Sequence, residues 1–397
     1  MSPFLLLCAT GLLAIFSSTV SKSPVLPLFA EHLGASEAGV GAVAAVSAFT
    51  GVLASIPAGL LSDRLGRRRM LRASLLVFST APLLYLFVGS LWQLALVRFY
   101  HGLATAVFVP VALALVADLY SKERGERMGW FSTATLLGRF MAPAAGGGLL
   151  ALLALEPALG FQAVYALCAL SALGAFLLGR RLGPPKESPT GSQQSWAEVL
   201  SGFRGVLGHR AILATAAVEA AVLFAYGIFE TFLPLHAVRS GVAASWVGAI
   251  LSAQVLTLAL TKPLLGRASD RYGRRPQILL GALLAGAFAA LLPWLQSVPA
   301  LLLVSVLFGL GLSTTTAATS AYIADLSGRA ARGSAMGVLG SVMDIGHSTG
   351  PLVGGLIAST LLGFKGAFLA ALAVLAASAG VFALSGRRPF GPPRSIC

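Results

Sequence analysis

Charged residues are scarce in this chain. Asp, Glu, Lys and Arg make up 11% of its 397 residues, whereas a soluble globular protein carries about 25%. Hydrophobic residues make up 57%, and apolar runs long enough to cross a bilayer, roughly 20 residues each, recur along the whole length. A soluble protein with as many buried helices would need polar helix faces, which these runs lack. The composition therefore predicts an all-α polytopic membrane protein.

Several kinds of functional group are also missing from the sequence. The three cysteines, Cys8, Cys168 and Cys397, are too scattered for a disulfide framework or a metal site. There is no nucleophile paired with a base, no metal-ligand spacing and no phosphate-binding loop. We therefore predict that the protein is not an enzyme, holds no metal or cofactor and does not use ATP directly.

Twelve apolar runs each predict one membrane span. The first run has no basic segment before it, so it is predicted to be a membrane helix rather than a cleaved signal peptide. The predicted spans lie at 4–29, 37–61, 71–90, 92–119, 129–153, 161–180, 210–237, 244–266, 277–296, 298–324, 334–360 and 365–386.

The basic residues are distributed unevenly between the two sides of the predicted membrane. The formal net charge is +14, and most of the 28 Lys and Arg residues fall in loops on one side. The loops on the other side hold only Arg239 and Lys365. Cytoplasmic loops of membrane proteins carry such an excess of Lys and Arg. We therefore predict a multi-pass protein of the cytoplasmic (inner) membrane with both termini in the cytoplasm, and no nucleic-acid partner.

The second half of the chain repeats the first. The segment "GLLSDRLGRRR" at 59–69 recurs as "GRASDRYGRRP" at 266–276, which is 207 positions later. The same offset relates "ADLY" at 117 to "ADLS" at 324. Six spans are an even number, so both halves enter the membrane in the same sense.

The repeat predicts four regions. Between the halves, a segment rich in Pro, Ser and Gln is typical of a flexible linker, and "SWAEVLSGFRGVL" within it predicts a short amphipathic helix at the membrane surface. The regions are a six-helix half at 1–180, a cytoplasmic linker at 181–209, a second six-helix half at 210–386 and a cytoplasmic tail at 387–397.

The repeated turn segment has the pattern G-x-x-x-D-R-x-G-R in both halves. Its glycines allow a tight turn and close helix approach, and its Arg residues suit the cytoplasmic side. We predict a cytoplasmic gate motif at Gly59, Asp63, Arg64, Gly66, Arg67, Gly266, Asp270, Arg271, Gly273 and Arg274.

A second repeated motif consists of small residues. "GRFMAPAAGGG" at 138 in the fifth span matches "GHSTGPLVGGL" at 346 in the eleventh. Small residues on one helix face let another helix pack backbone to backbone. We predict helix packing at an interface that slides or rocks, through Gly138, Pro143, Gly146, Gly147, Gly346, Gly350, Pro351 and Gly354.

Together these motifs resemble those of the major facilitator superfamily, and the resemblance covers essentially the whole chain. The pattern of the fifth span, with Ala142 in place of the usual glycine, is similar to that of the 12-helix drug:proton antiporters (DHA1-type). The resemblance implies transport by alternating access around a central cavity lined by spans one, four, seven and ten, with spans two, five, eight and eleven beside it. It also implies that Asp63 meets the N-terminus of the eleventh span, near 334–337, and latches the cytoplasmic side shut.

Ionisable side chains within the spans are the predicted site. Charges at membrane depth are costly, face the interior of the bundle and mark substrate or ion pathways. Basic residues come from the first half and acidic ones from the second, so the resemblance implies that they face one another across the cavity. We predict proton coupling by Glu219 first and Asp344 next, with Glu230 and Arg98, the latter in the "R-x-x-x-G" pattern that the family uses in proton transfer. The predicted substrate-cavity residues are Lys22, His101, Arg139, Tyr226 and His347.

Two alternatives remain open at this stage. Lys22, Arg98 and Glu230 could instead form a structural ion-pair network that holds the outer gate. The cargo is either a hydrophobic or amphipathic drug exported in exchange for protons, or an organic anion or zwitterion that is imported or exported. In both cases we expect a monomer whose partners are a small-molecule substrate and the lipid bilayer, with H⁺ as the coupling ion.

Overall fold

The computed structural model describes residues 2–120, 123–182 and 209–385, and within these ranges it omits the side chains at 55, 56, 59, 60, 63 and 328–338. The predicted amphipathic linker helix and the predicted tail lie outside the described residues. All regular structure in the described ranges is helical. The α-helices are α1 (Pro3–Val20), α2 (Val25–His32), α3 (Glu37–Leu65), α4 (Arg67–Tyr85), α5 (Leu91–Leu119), α6 (Arg124–Leu152), α7 (Pro157–Arg180), α8 (Arg210–Arg239), α9 (Ala244–Tyr272), α10 (Arg274–Leu291), α11 (Val298–Leu326), α12 (Gly328–Ala358) and α13 (Gly363–Ser385).

These helices confirm the predicted fold class. Helices α1 and α2 together form the first predicted span, and each helix from α3 to α13 forms one further span. Within the described residues, ten of the twelve spans, all but α4 and α12, qualify as membrane-crossing by length and apolar composition alone, with mean hydropathy between 1.2 and 2.4. Helix α4 is not among the ten, and it begins with "RRRMLR", whose Arg side chains suit the membrane surface rather than its interior. The fold is twelve spans in two pseudo-symmetric halves of six.

The first span is broken where the sequence reads "SKSP". Pro24 has no backbone N–H to donate, and residues 21–24 form turns between α1 and α2. The N–H of Lys22 donates to the carbonyl of Thr19 instead of continuing an α-helical ladder. Lys22 lies in this break and lines the central cavity together with Ser18 and Thr19 of α1.

The turn motif ties three consecutive spans together in each half. Gly66 joins α3 to α4 with a φ of 92°, and Gly273 joins α9 to α10 with a φ of 98°, which are conformations that other residues rarely adopt. The next residue in each half reaches the end of the fourth span of that half. The Nε of Arg67 lies 2.5 Å from Asp118, and the Nε of Arg274 lies 3.1 Å from Asp325.

The predicted latch can be followed only in part. The surroundings of Gly59 and the side chains of Asp63 and of residues 328–338 in α12 are not among those that the structure describes. In the second half, Asp270 pairs at 2.5 Å with Arg274, which follows it in the same turn motif. Arg64 and Arg271 are exposed.

The two halves meet through α6 with α9 and through α3 with α12. We call the end of the bundle that carries the loops after α2 and α8 the outer end. A Cβ at Gly147 of α6 would collide with the backbone carbonyl of Ala244 in α9, and one at Gly41 of α3 would collide with the carbonyl of Pro351 in α12. The halves are therefore in backbone contact towards the outer end, and only glycine permits this spacing.

The same two motif helices also pack within their own halves. A Cβ at Gly138 of α6 would collide with the backbone of Leu12 in α1, and one at Gly350 of α12 would collide with the backbone of Phe224 in α8. Each small-residue helix thus presents one face to its own half and another to the opposite half, as a helix at a rocking interface requires.

Enlarging Gly147 should prevent the outer end from closing fully, because the added methyl group would overlap the α9 backbone. We expect Gly147→Ala to increase severalfold the rate at which a cysteine introduced at Ser47, in the cavity wall, reacts with a membrane-impermeant maleimide added from the outer side. The measurement uses protein in which the native cysteines are replaced. Gly148→Ala is the matched control, since a Cβ there meets no atom within 4 Å; equal rates for the two variants would contradict the prediction.

Candidate functional site

A cavity of about 410 Å³ lies between the two halves. It is lined by α1 and its break, α3, α5 and α6 of the first half, and by α8, α9 and α12 of the second. Among the lining residues none comes from α11, although the tenth span was expected to line the cavity; its Thr315 instead packs against Gly281 of α10. The ionisable lining residues are Lys22, Arg98, Arg139, Glu230, Asp344 and His347.

Lys22, Glu230 and His347 form one contact cluster across the halves. The Nζ of Lys22 lies 2.7 Å from the Oε2 of Glu230 and 3.1 Å from the Nε2 of His347. The same His347 nitrogen lies 3.3 Å from the Glu230 oxygen. Tyr226, one turn before Glu230 on α8, packs edge-on against the His347 ring at 5.5 Å. A cation of the first half is therefore neutralised by a carboxylate of the second.

Arg98 does not contact this cluster, so of the alternative network of Lys22, Arg98 and Glu230 the structure shows the Lys22–Glu230 pair. The Arg98 side chain is buried on α5, with 2% of the residue exposed. Its Nη1 donates to the hydroxyl of Tyr85 at 3.5 Å, and that hydroxyl lies 3.4 Å from the Nδ1 of His101. Tyr85 in turn stacks on Tyr165 at 4.5 Å. Neither tyrosine was predicted as a site residue, because most tyrosines in apolar spans serve only to pack the helices.

His101 and Glu219 are the two predicted residues that do not line the cavity. His101 is 1% exposed and packs behind Arg98, edge-on against Phe78. Glu219 is 1% exposed between α8 and α11, where its carboxylate accepts a hydrogen bond from the Thr319 hydroxyl. Helix α8 contributes to the cavity wall only from Leu223 to Glu230, so Glu219 does not face the first-half cations across it.

Asp344 and Arg139 line the cavity on opposite halves. The carboxylate of Asp344 reaches α3 of the first half, where a Cβ at Gly51 would lie 3.1 Å from its Oδ2. Arg139 is exposed to the cavity and close enough to His347 and Tyr226 to act on both electrostatically. Among the described residues, no group of three or more His, Cys, Asp or Glu side chains could hold a metal ion.

A second set of ion pairs joins the halves at the outer end. Arg239, at the end of α8, lies 2.7 Å from Glu31 and 2.8 Å from Glu37 of the first half. We call these three residues the outer lock. The lock was not predicted from the sequence, although Arg239 is one of only two basic residues in the predicted outer loops and two Glu flank the corresponding loop of the first half.

Breaking the Lys22–Glu230 pair should destabilise the protein, because either partner would be left partly buried without its counter-ion. In a double-mutant cycle of Lys22→Met and Glu230→Gln, we expect a coupling of at least about 1 kcal/mol in unfolding free energies measured in mixed detergent micelles. The exposed pair of Arg127 and Glu123, an i,i+4 contact at 2.7 Å, is the control and should show no measurable coupling. Strictly additive effects at Lys22 and Glu230 would contradict the cluster.

Comparison with known proteins places the chain among membrane transporters. It is 26% identical over 353 residues to "Multidrug resistance protein 1" of Bacillus subtilis (strain 168), covering 88% of both chains. It is 27% identical over 378 residues to "Multidrug resistance protein MdtG" of Klebsiella pneumoniae (strain 342), covering 92% of this chain and 89% of that protein.

Solved structures share the fold. A bacterial homologue of the human lysosomal transporter Spinster superposes with a TM-score of 0.79 at 19% identity, covering 97% of this chain and 96% of that one. The nucleoside transporter NupG superposes with a TM-score of 0.79 at 15% identity, covering 98% and 100%. The model of the Major Facilitator Superfamily matches residues 6–252 and 221–395, and with its twelve-span repeated fold the chain belongs to this superfamily of transporters.

Proposed function

We propose that the protein is a proton-coupled antiporter that exports hydrophobic or amphipathic small molecules by alternating access. It would work as a monomer in the cytoplasmic membrane, with both termini in the cytoplasm, H⁺ as the coupling ion and no cofactor. The observation that carries the proposal is the Lys22–Glu230–His347 cluster, because it places a titratable carboxylate at the moving interface and inside the cavity. The names of the relatives support an export role.

The contacts between the halves suggest how movement and proton exchange are linked. In the conformation described, the outer end is closed by the outer lock and by backbone contacts of α6 with α9 and of α3 with α12. Opening this end separates the halves, so Glu230 on α8 must move away from Lys22 on the first half. Its carboxylate then loses its counter-ion and meets water from the outside, where it can take up a proton.

The return movement completes the cycle. Closing the outer end brings Lys22 back to Glu230, and an ion pair forms best with the ionised carboxylate. The proton is then released into the cavity, whose outer end is closed in this conformation. Substrate held in the same cavity would leave outward before the proton enters, and the two therefore move in opposite directions.

Glu219 and Asp344 are the other proposed proton carriers. Glu219 is buried and hydrogen-bonded by Thr319 within the second half, so protonation there would act on the packing of α8 against α11 rather than compete directly with substrate. Asp344 lines the cavity beside α3 and could exchange a proton directly with substrate or water in it. Substrate in the cavity would compete with a proton at Glu230 or Asp344, whereas it would act on a proton at Glu219 only through the packing of α8 against α11.

Neutralising the carboxylate that takes up and releases the proton should uncouple transport from proton movement. We expect Glu230→Gln to abolish proton movement in liposomes that carry an imposed pH gradient, with internal pH recorded while lipophilic cations, neutral drugs and organic anions are added in turn. Because Lys22 loses its counter-ion in this variant, its folding is checked by size-exclusion chromatography in detergent. Glu156→Gln, in an exposed position at the outer end, is the control. Normal proton movement in Glu230→Gln would move the role to Asp344 or Glu219, which Asp344→Asn and Glu219→Gln then separate.

A further inference from the structure

The charges that line the cavity do not cancel one another. Lys22 is paired with Glu230 at 2.7 Å, and His347 contacts both. This leaves Arg98 and Arg139, for which no carboxylate lies within 4 Å among the residues that the structure describes, and Asp344 on the other half. The side chains still unpaired therefore present two guanidinium groups and one carboxylate to whatever occupies the cavity.

Arg98 is the more unusual of the two guanidinium groups. It is 98% buried, yet its one described hydrogen bond is to the Tyr85 hydroxyl, at the long distance of 3.5 Å, and its Nε is buried without a partner. A buried cation is normally paired or fully hydrogen-bonded because removing it from water is costly. The chain supplies no such partner in the described structure, and Arg98 lines the cavity. An anion in the cavity would provide the missing interaction.

Arg139 lies in the same wall, on the first-half side. It is exposed to the cavity, and both it and Arg98 act electrostatically on the Lys22 ammonium. The guanidinium fork donates two parallel hydrogen bonds to a carboxylate, which an ammonium cannot do. Two such groups near one paired Lys22–Glu230 bridge make this wall suited to a carboxylate and unsuited to a cation.

The opposite wall of the cavity offers an apolar surface beside the paired Glu230 and His347 and the polar side chains of Gln254 and Asp344. It includes Leu223, Tyr226, Leu251, Val255 and Met343 on α8, α9 and α12. Apolar surface of this kind binds the hydrocarbon part of a ligand, and a few polar groups fix its orientation. The volume of about 410 Å³ accommodates a drug-sized or smaller molecule.

We propose that the cavity binds an amphipathic organic anion, with its anionic group held by Arg98 and Arg139 and its apolar body against the α8–α9–α12 wall. The inference rests on the proposed export function and names its substrate class. It places Arg98 in contact with the substrate. Lipophilic cations, in contrast, would be repelled from the first-half wall.

Direct binding separates this proposal from the question of transport. The probes are radiolabelled 4-phenylbutyrate, 4-phenylbutanol and 4-phenylbutylamine, which share one apolar body and differ in charge, measured by equilibrium dialysis against purified protein in detergent. We expect the acid to bind at least about tenfold more tightly than the alcohol, the gain of one charged hydrogen-bonded contact, and the amine to bind no better than the alcohol. An acid that binds no better than its alcohol, or that does not bind at all, overturns the proposal.

Variants identify the groups responsible. Arg139→Gln should reduce the preference for the acid over the alcohol about tenfold, and Arg139→Lys should restore part of it, since the charge returns without the fork geometry. Lys365→Gln is the matched control, because it removes one positive charge at a residue that contacts Trp294 and does not line the cavity. An equal loss of preference in Arg139→Gln and Lys365→Gln would show an effect of net charge alone and would overturn the site.

Arg98 needs a second measurement because its burial makes folding failure possible. Arg98→Gln should abolish the preference for the acid while the alcohol still binds, and alcohol binding shows that the cavity is intact. If Arg98→Gln does not fold, Arg98→Lys with the same two probes takes its place, with a preference lower than that of the unmodified protein. A preference for 4-phenylbutylamine together with normal proton movement in liposomes would refute the anion site and leave the exporter proposal standing.

Discussion

The interior of this protein is organised by the cost of placing charge inside a membrane. Lys22 and Glu230 offset that cost by forming an ion pair at 2.7 Å, and the two residues come from opposite halves. A pair within one half would stabilise a rigid bundle, whereas a pair across the halves stabilises one arrangement of them. Because each charge needs its counter-ion, the pair favours the conformation in which the two halves bring Lys22 and Glu230 together. His347 contacts both residues and is the third member of the cluster.

Close backbone packing supplies the geometry in which that pair can form. At Gly147 and Gly41 the two halves approach so closely that a methyl group would not fit. Association of membrane helices depends on such packing, since lipid tails are as apolar as the helix surfaces and provide no hydrophobic driving force between helices. The outer lock of Arg239 with Glu31 and Glu37 adds to this contact at the surface, where water weakens each ion pair.

The sequence predicted the scaffold better than the site, for physical reasons. Span number, the repeat and the twelve-span fold follow from hydrophobic length and from a register of 207 positions, both of which are local or periodic signals. The opposite signs of Lys22 and Glu230 were visible in the sequence, but their contact depends on how the two halves pack against each other. Glu219 was expected in the cavity wall because it shares a face of α8 with Glu230. Glu219 lies three turns before Glu230 on α8, beyond the end of the cavity wall, and only the tertiary packing shows where that wall ends. Tyr85 and Tyr165 gave no signal, since their polar ends matter only once Arg98 is known to lie beside them.

Some contacts of the first half are repeated in the second half, whereas the charged residues of the cavity are not. The ties of Arg67 to Asp118 and of Arg274 to Asp325 are the same contact made twice, and they make each half a unit that can move as a whole. The cavity charges are not duplicated: the repeat partner of Arg98 is Ser305, and that of Arg139 is His347. Residues that hold each half together are thus separate from those that line the cavity. A transporter built in this way can change what it carries through a few substitutions in one wall, without rebuilding the machinery that moves it.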